Sequence, residues 1–143
     1  MLYYLSLGAN LGNKEATIQK ALHMLGCSQW SSFYYSKAVD FESTNEFCNC
    51  CACVESKMKP LEFLLFTQQI ERELGRKRKS VNGEHFDREI DIDILLAYPA
   101  HPVNLSTSQP ICLSTPELTL PHPKMHNRPF VMLPLQEILQ KNA

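Results

Sequence analysis

The run Ile90-Asp91-Ile92-Asp93-Ile94 alternates isoleucine with aspartate, and a two-residue period specifies a strand. Successive side chains of a strand leave opposite faces, so the isoleucines line one surface and both carboxylates the other. A sheet that buries the first surface must carry two acids side by side on the second. Such carboxylates repel and are costly to hold charged beside a core. A divalent cation relieves both problems, and Mg²⁺ in particular takes one or two carboxylates together with phosphate oxygens. Just upstream, Arg76, Lys77, Arg78, Lys79 and Arg88 concentrate positive charge, and guanidinium groups match phosphate geometry. The segment reads as a metal–polyphosphate site. Spacing alone equally allows an exposed strand edge beside a solvated basic loop.

The chain has 143 residues, is 44% hydrophobic and carries a net charge of −1, which fits one domain over residues 1–143 with a core of its own. A near-neutral balance argues against nucleic-acid binding, which shows a basic excess across a domain. A local cationic cluster suits a small anionic ligand instead. The start of the chain lacks the basic and apolar regions of a signal peptide. No stretch reaches the roughly 18 apolar residues of a membrane span. A cytoplasmic monomer without membrane contact is expected. Cys48, Cys50, Cys51 and Cys53 contain two overlapping CxxC spacings, the signature of a zinc or redox site. A strand, however, would send the members of each pair to opposite faces. They read as small buried hydrophobes in a reducing compartment.

Tyr3 to Leu7 forms a β-type run, after which Asn13 caps a helix with Ile18, Leu22 and Leu25 on one face and Gly26 at its end. An aromatic β-rich segment follows from Trp30 to Val39, then a polar loop and a strand from Phe47 to Glu55. Pro60 opens a second helix, whose Phe63, Phe66, Ile70 and Leu74 share a face before Gly75. The Asp-bearing strand completes a β-α-β-β-α-β order. That order predicts an α+β, ferredoxin-like βαββαβ fold: an antiparallel sheet with helices on one face and the active site on the other. Beyond Tyr98 the chain is proline-rich and mostly irregular, with a short closing helix near Phe130 to Leu139 that Pro134 bends or interrupts.

Other residues carry weaker signals. Phe47 and Asn49 share a strand face, where a ring and an amide could stack on a flat heterocycle and bind its edge; core and turn roles are equally ordinary for them. Gln68 and Glu71, three apart on a helix, read as a solvated face. His122, His126 and Arg128 crowd one loop, and Arg beside His suits phosphate.

Taken together, the stretches at 4–13 (YLSLGANLGN), 47–49 (FCN), 68–71 (QQIE), 75–78 (GRKR), 87–95 (DREIDIDIL) and 118–128 (LTLPHPKMHNR), with Phe130, resemble the hydroxymethyldihydropterin pyrophosphokinases. The resemblance implies an enzyme of folate biosynthesis that moves pyrophosphate from ATP to 6-hydroxymethyl-7,8-dihydropterin. It implies two Mg²⁺ ions held by Asp91 and Asp93. It places Gln68, Glu71, Arg78, Arg88, Ile94, Thr119, His122 and Arg128 with ATP. Arg76 and Arg88 would act in the chemical step beside the Asp pair. Gly8, Asn10, Ser36, Lys37, Val39 and Asn49 would meet the pterin, sandwiched between Phe47 and Phe130. In the loop on the pterin side, Ser36 to Asp40 stands where the resemblance implies Thr-Pro and a glycine.

Overall fold

The computed structural model describes residues 1–27, 29–37, 46–75, 90–99 and 108–141. Strand β1 (Leu2–Ala9) leads into helix α1 (Lys14–Leu25), then the short strands β2 (Gln29–Trp30) and β3 (Tyr34–Ser36) and the long β4 (Phe47–Glu55). Helix α2 (Pro60–Glu73) and strand β5 (Asp91–Tyr98) follow; a β6 (Leu113–Ser114) and β7 (Thr119–Leu120) ribbon, a 3₁₀ turn (Met125–Asn127) and helix α3 (Pro129–Lys141) complete the described chain.

Local chemistry accounts for the helix ends. The Asn13 side chain accepts from the Ala16 N–H at 3.3 Å, satisfying one of the orphan donors of the first turn of α1. Gly26 closes that helix in a left-handed conformation, φ 70°, which costs glycine nothing. In α2, Pro60 takes the first position, and Glu62 reaches back to accept from the Lys59 N–H at 3.3 Å.

The main sheet is antiparallel, in the order β2-β4-β1-β5, with β3 also pairing β4. Segment 29–36 follows one edge of β4 but breaks between Trp30 and Tyr34, so the expected single aromatic strand is two. Ser31 bridges the break: its N–H donates to the Cys51 carbonyl at 2.8 Å, and its hydroxyl accepts from the Cys51 N–H at 3.0 Å. The last residues expected of this segment, from 38 on, lie outside the described set.

On the first sheet face, Tyr3, Leu5, Leu7, Cys48, Cys50, Ile90, Ile92 and Ile94 form one core with Ile18, Leu22, Phe63 and Ile70 of α1 and α2. Within it Tyr3 and Phe63 stack at 4.0 Å between ring centroids, and the Tyr3 hydroxyl donates to the Met58 carbonyl at 2.6 Å.

The second face departs from the expectation that helices occupy one side only. Helix α3 lies on it, packing Val131, Leu135 and Ile138 over Leu2, Tyr4, Cys51, Cys53, Leu95, Leu96 and Tyr98. Those strand residues are apolar and would otherwise meet water, which is the physical reason for the third helix. The helix continues through Pro134, which is buried inside it, so the interruption expected there does not occur. A register shift opposite Tyr4 and Leu5 lets both Leu95 and Leu96 join this second core.

The cysteine-dense strand divides as its alternation requires. Cys48 and Cys50 lie in the first core, Cys51 and Cys53 in the second, so neither CxxC pair converges on one point. All the chain's cysteines are free thiols.

Phe63 is fully buried, and Phe63→Ala should cost about 3–5 kcal/mol of stability, as a large side chain removed from a close-packed core does. Urea unfolding of the two proteins measures this.

Candidate active site

Strand β1 holds the centre of the site through its register with both neighbours. Gly8 lies opposite Asn49 on one side and Asp91 on the other; Ser6 lies opposite Cys51 and Asp93. Asn49 in turn lies opposite Tyr34. Cross-strand partners share a face, so Asp91, Gly8, Asn49 and Tyr34 form one row across four strands, and Asp93, Ser6 and Cys51 form the next. Both Asp side chains therefore leave the face opposite Ile92 and Ile94, as their alternation requires, and both are half-buried.

Glycine at position 8 has a spatial cause. A Cβ there would sit 3.2 Å from Asn49 Oδ1, tighter than an ordinary contact. The Asn49 amide is buried and aimed by its neighbours, with Nδ2 donating to the Tyr34 carbonyl at 3.2 Å and to Ser36 Oγ at 2.9 Å. Ser36 is itself paired with Phe47. Sequence-predicted Gly8, Ser36, Phe47 and Asn49 are thus brought together. Asn10 is buried just past the end of β1, and Lys37 is exposed after β3.

The second wall comes from the segment before α3. The His122 N–H donates to the Leu95 carbonyl at 2.9 Å, fastening this loop to β5. His122 Nδ1 accepts from the Lys124 N–H at 3.2 Å, which assigns the ring proton to Nε2. Burial lowers the His122 pKa from the ordinary 6.5; Arg128 and Lys124 lower it further, and Asp91 opposes them. The same imidazole therefore senses the acid row and Arg128. The Arg128 guanidinium carbon lies 5.9 Å from the Phe130 ring centroid, within cation–π range. Phe130 packs at the margin of the second core, and Thr119 is exposed on β7.

Two placements differ from simple expectation. Glu71 is not on a solvated face: it is 2% exposed, and its Oε2 accepts from the Ile92 N–H at 2.8 Å. Helix α2 thereby braces β5 between its two aspartates, while Gln68, one turn earlier, is half-buried. Ile94 is buried in the first core, so its side chain lies on the sheet face opposite the aspartates. Val39, Arg76, Arg78 and Arg88 lie outside the described residues.

Tyr34, Ser32 and Glu137 escape sequence reasoning entirely, although they form a hydrogen-bonded set beside Asn49. No periodicity relates residues so far apart in the chain.

The donor set fits Mg²⁺. Asp91 and Asp93 offer hard oxygens from one sheet face, and no group of three or more His, Cys, Asp or Glu suited to a metal occurs among the described residues. A two-carboxylate centre leaves further positions for water and phosphate, as this ion prefers.

Because folding depresses the His122 pKa, the unfolded chain binds more protons between the folded value and 6.5. The stability that neutral His122 contributes is therefore complete above 6.5 and is lost as pH falls through the folded value. Urea unfolding between about pH 5 and 7 should show the wild type weakening on acidification, and His122→Gln weakening less.

A family model described as 7,8-dihydro-6-hydroxymethylpterin-pyrophosphokinase matches residues 4–140. The chain is 42% identical over 144 residues to a 2-amino-4-hydroxy-6-hydroxymethyldihydropteridine pyrophosphokinase of Porphyromonas gingivalis, covering 96% of this chain and 90% of that protein. The enzyme of that name from Bacillus subtilis is 35% identical, with 96% and 78% covered. Among solved structures, an HPPK-DHPS in complex with substrates aligns with a TM-score of 0.62 at 14% identity. The alignment covers 96% of this chain but only 40% of that one, and it bears on fold alone. No helix among the described residues is long and apolar enough to cross a membrane. With its acid row, aimed asparagine and His–Arg wall in place, the chain belongs to the 7,8-dihydro-6-hydroxymethylpterin-pyrophosphokinase family.

Proposed function

We infer that this chain performs its family's reaction, transferring pyrophosphate from ATP to the hydroxymethyl group of 6-hydroxymethyl-7,8-dihydropterin in folate biosynthesis. The observation that carries the reading is the row Asp91–Gly8–Asn49, which sets an acid and a buried amide on the two strands flanking β1, on one face. The alcohol oxygen bonds to the β-phosphorus as the bond from that phosphorus to the bridging oxygen of the α-phosphate breaks. AMP leaves, and the alcohol proton passes to solvent.

Such a transfer needs positioning and charge neutralisation more than a covalent nucleophile. Asp91 and Asp93 would hold two Mg²⁺ ions. When bound, the metal supplies charge neutralisation for the phosphates and acidifies the attacking alcohol. Asn49, held by Tyr34 and Ser36, binds the pterin edge, and Phe47 and Phe130 cover its two ring faces. Gly8 gives the amide its room; Asn10, Lys37 and Val39 complete that side. On the nucleotide side, Arg128 meets phosphate, and neutral His122 donates through Nε2. Gln68, Arg78, Thr119 and main-chain atoms of Ile94 complete the ATP contacts. Glu71 acts by bracing the Asp-bearing strand. Arg76 and Arg88 close over the phosphates in the chemical step. The strand order supports a ferredoxin-like plan, and the expected working form is a cytoplasmic monomer.

Incubation with ATP, Mg²⁺ and the pterin alcohol should release AMP; release of ADP, or of neither nucleotide, would refute the reading. Asp93→Asn should lower turnover by at least about 10²–10³-fold, the scale of a lost transition-state contact, with little change in melting temperature. Near-normal turnover in that variant would remove Asp93 from the metal site.

A further inference from the structure

We propose that Glu137 is a positioning residue for the pterin alcohol: by clamping Ser32 and Tyr34 it locks β3 to α3, and so sets the gap between the Asn49 wall and the Phe130 wall. The proposal rests on the pterin-site reading given above. Its geometry is independent of that reading.

Glu137 Oε2 accepts from the Ser32 N–H at 2.7 Å and from Ser32 Oγ at 3.2 Å, while Oε1 accepts from the Tyr34 hydroxyl at 2.8 Å. Lys141, one turn along α3, lies 3.3 Å from Oε2 and donates to the Trp30 carbonyl at 3.4 Å. One carboxylate and its neighbouring ammonium thus engage residues 30, 32 and 34 together. Chiefly the Ser32 N–H, with the Tyr34 hydroxyl and Lys141, holds the Glu137 carboxyl below its ordinary pKa against the opposing effect of burial. The clamp is ionised at neutral pH, and its hydrogen bonds are charge-assisted.

Tyr34 carries the effect into the site. Its hydroxyl is bound to α3, and its carbonyl accepts from Asn49 Nδ2 at 3.2 Å. At the other end of the link, the Val131 carbonyl of α3 accepts from the Cys51 thiol at 3.6 Å, and Phe130 is the preceding residue. The amide proposed to read the pterin edge and the ring proposed to cover it are therefore joined through Tyr34 and Glu137. Strand β3 is three residues long and, among the described residues, pairs with β4 alone. Its other ties include the Tyr35 hydroxyl donating to Glu15 of α1 at 3.1 Å and Ser36 accepting from Asn49, so Glu137 is its link to α3.

The test compares the wild type with Tyr34→Phe, Glu137→Gln, Glu137→Ala and the Tyr34→Phe/Glu137→Ala pair. Equilibrium binding of the pterin alcohol is measured in the presence of a non-hydrolysable ATP analogue and Mg²⁺, and binding of the analogue is measured alone. Tyr34→Phe and Glu137→Ala should each weaken pterin binding on the order of 10-fold, the scale of a lost hydrogen bond to a charged group. Analogue binding should change less than about two-fold, and Glu137→Gln, which keeps an acceptor, should fall between. The double variant should be no weaker than the worse single one, because both act through one link. Unchanged pterin affinity in Tyr34→Phe and Glu137→Gln overturns the proposal. So does a parallel loss of pterin and analogue binding that follows the loss of melting temperature, since that marks general destabilisation. Asn49→Ala separates the two levels. If the wild type binds pterin and Asn49→Ala does not, an indifferent Glu137 overturns the clamp alone; if Asn49→Ala binds normally, the site reading falls and the clamp with it.

Discussion

The register of β1 against β4 and β5 is the constraint on which the site depends. Pairing Gly8 with both Asn49 and Asp91 places an amide and an acid on one face without any loop to carry them. A slip of one residue between β1 and β5 would expose Ile92 and Ile94 and drive both aspartates toward α1 and α2. The isoleucines and their partners in the first core oppose that slip through the apolar area it would return to water. Burial on one side of the sheet thus enforces the chemistry on the other. Glu71 reinforces the arrangement by accepting the Ile92 N–H from the flank of β5.

The second face is a compromise between covering apolar strand and leaving ligand access. Tyr4, Cys51, Leu95 and Tyr98 demand cover, and α3 supplies it. Over the Gly8 row a helix would displace any ligand, and there the strands carry Asn49 and Asp91. Beside Asn49, Glu137 ties α3 to β3 through the Tyr34 hydroxyl.

Much of the fold was legible in advance because it follows short-range rules. Asn13 and Gly26 bound α1, Pro60 opens α2, and Phe47 to Glu55 is β4. The alternation of Asp91 and Asp93 with isoleucine survives intact in β5. The break at Ser31 was not legible, since it follows from hydrogen bonds to Cys51 across the sheet. Glu71 was misread for a related reason: helical spacing identifies a face but not what packs on it, and here the carboxylate is buried where it accepts from the Ile92 N–H of β5. Ile94 was matched to the nucleotide side by resemblance, whereas its side chain obeys the alternation and lies in the core.

What the sequence by itself determined was parity: which side chains share a face, where helices begin and end, and which motifs mark the family. Those features depend on neighbours one to four residues apart, whose geometry the backbone dictates. The tertiary structure alone decided which face α3 would cover, which groups Glu71 and Glu137 would bind, and how Tyr34 and Ser36 would aim Asn49. These depend on which distant surfaces exclude water together, and no local period records that.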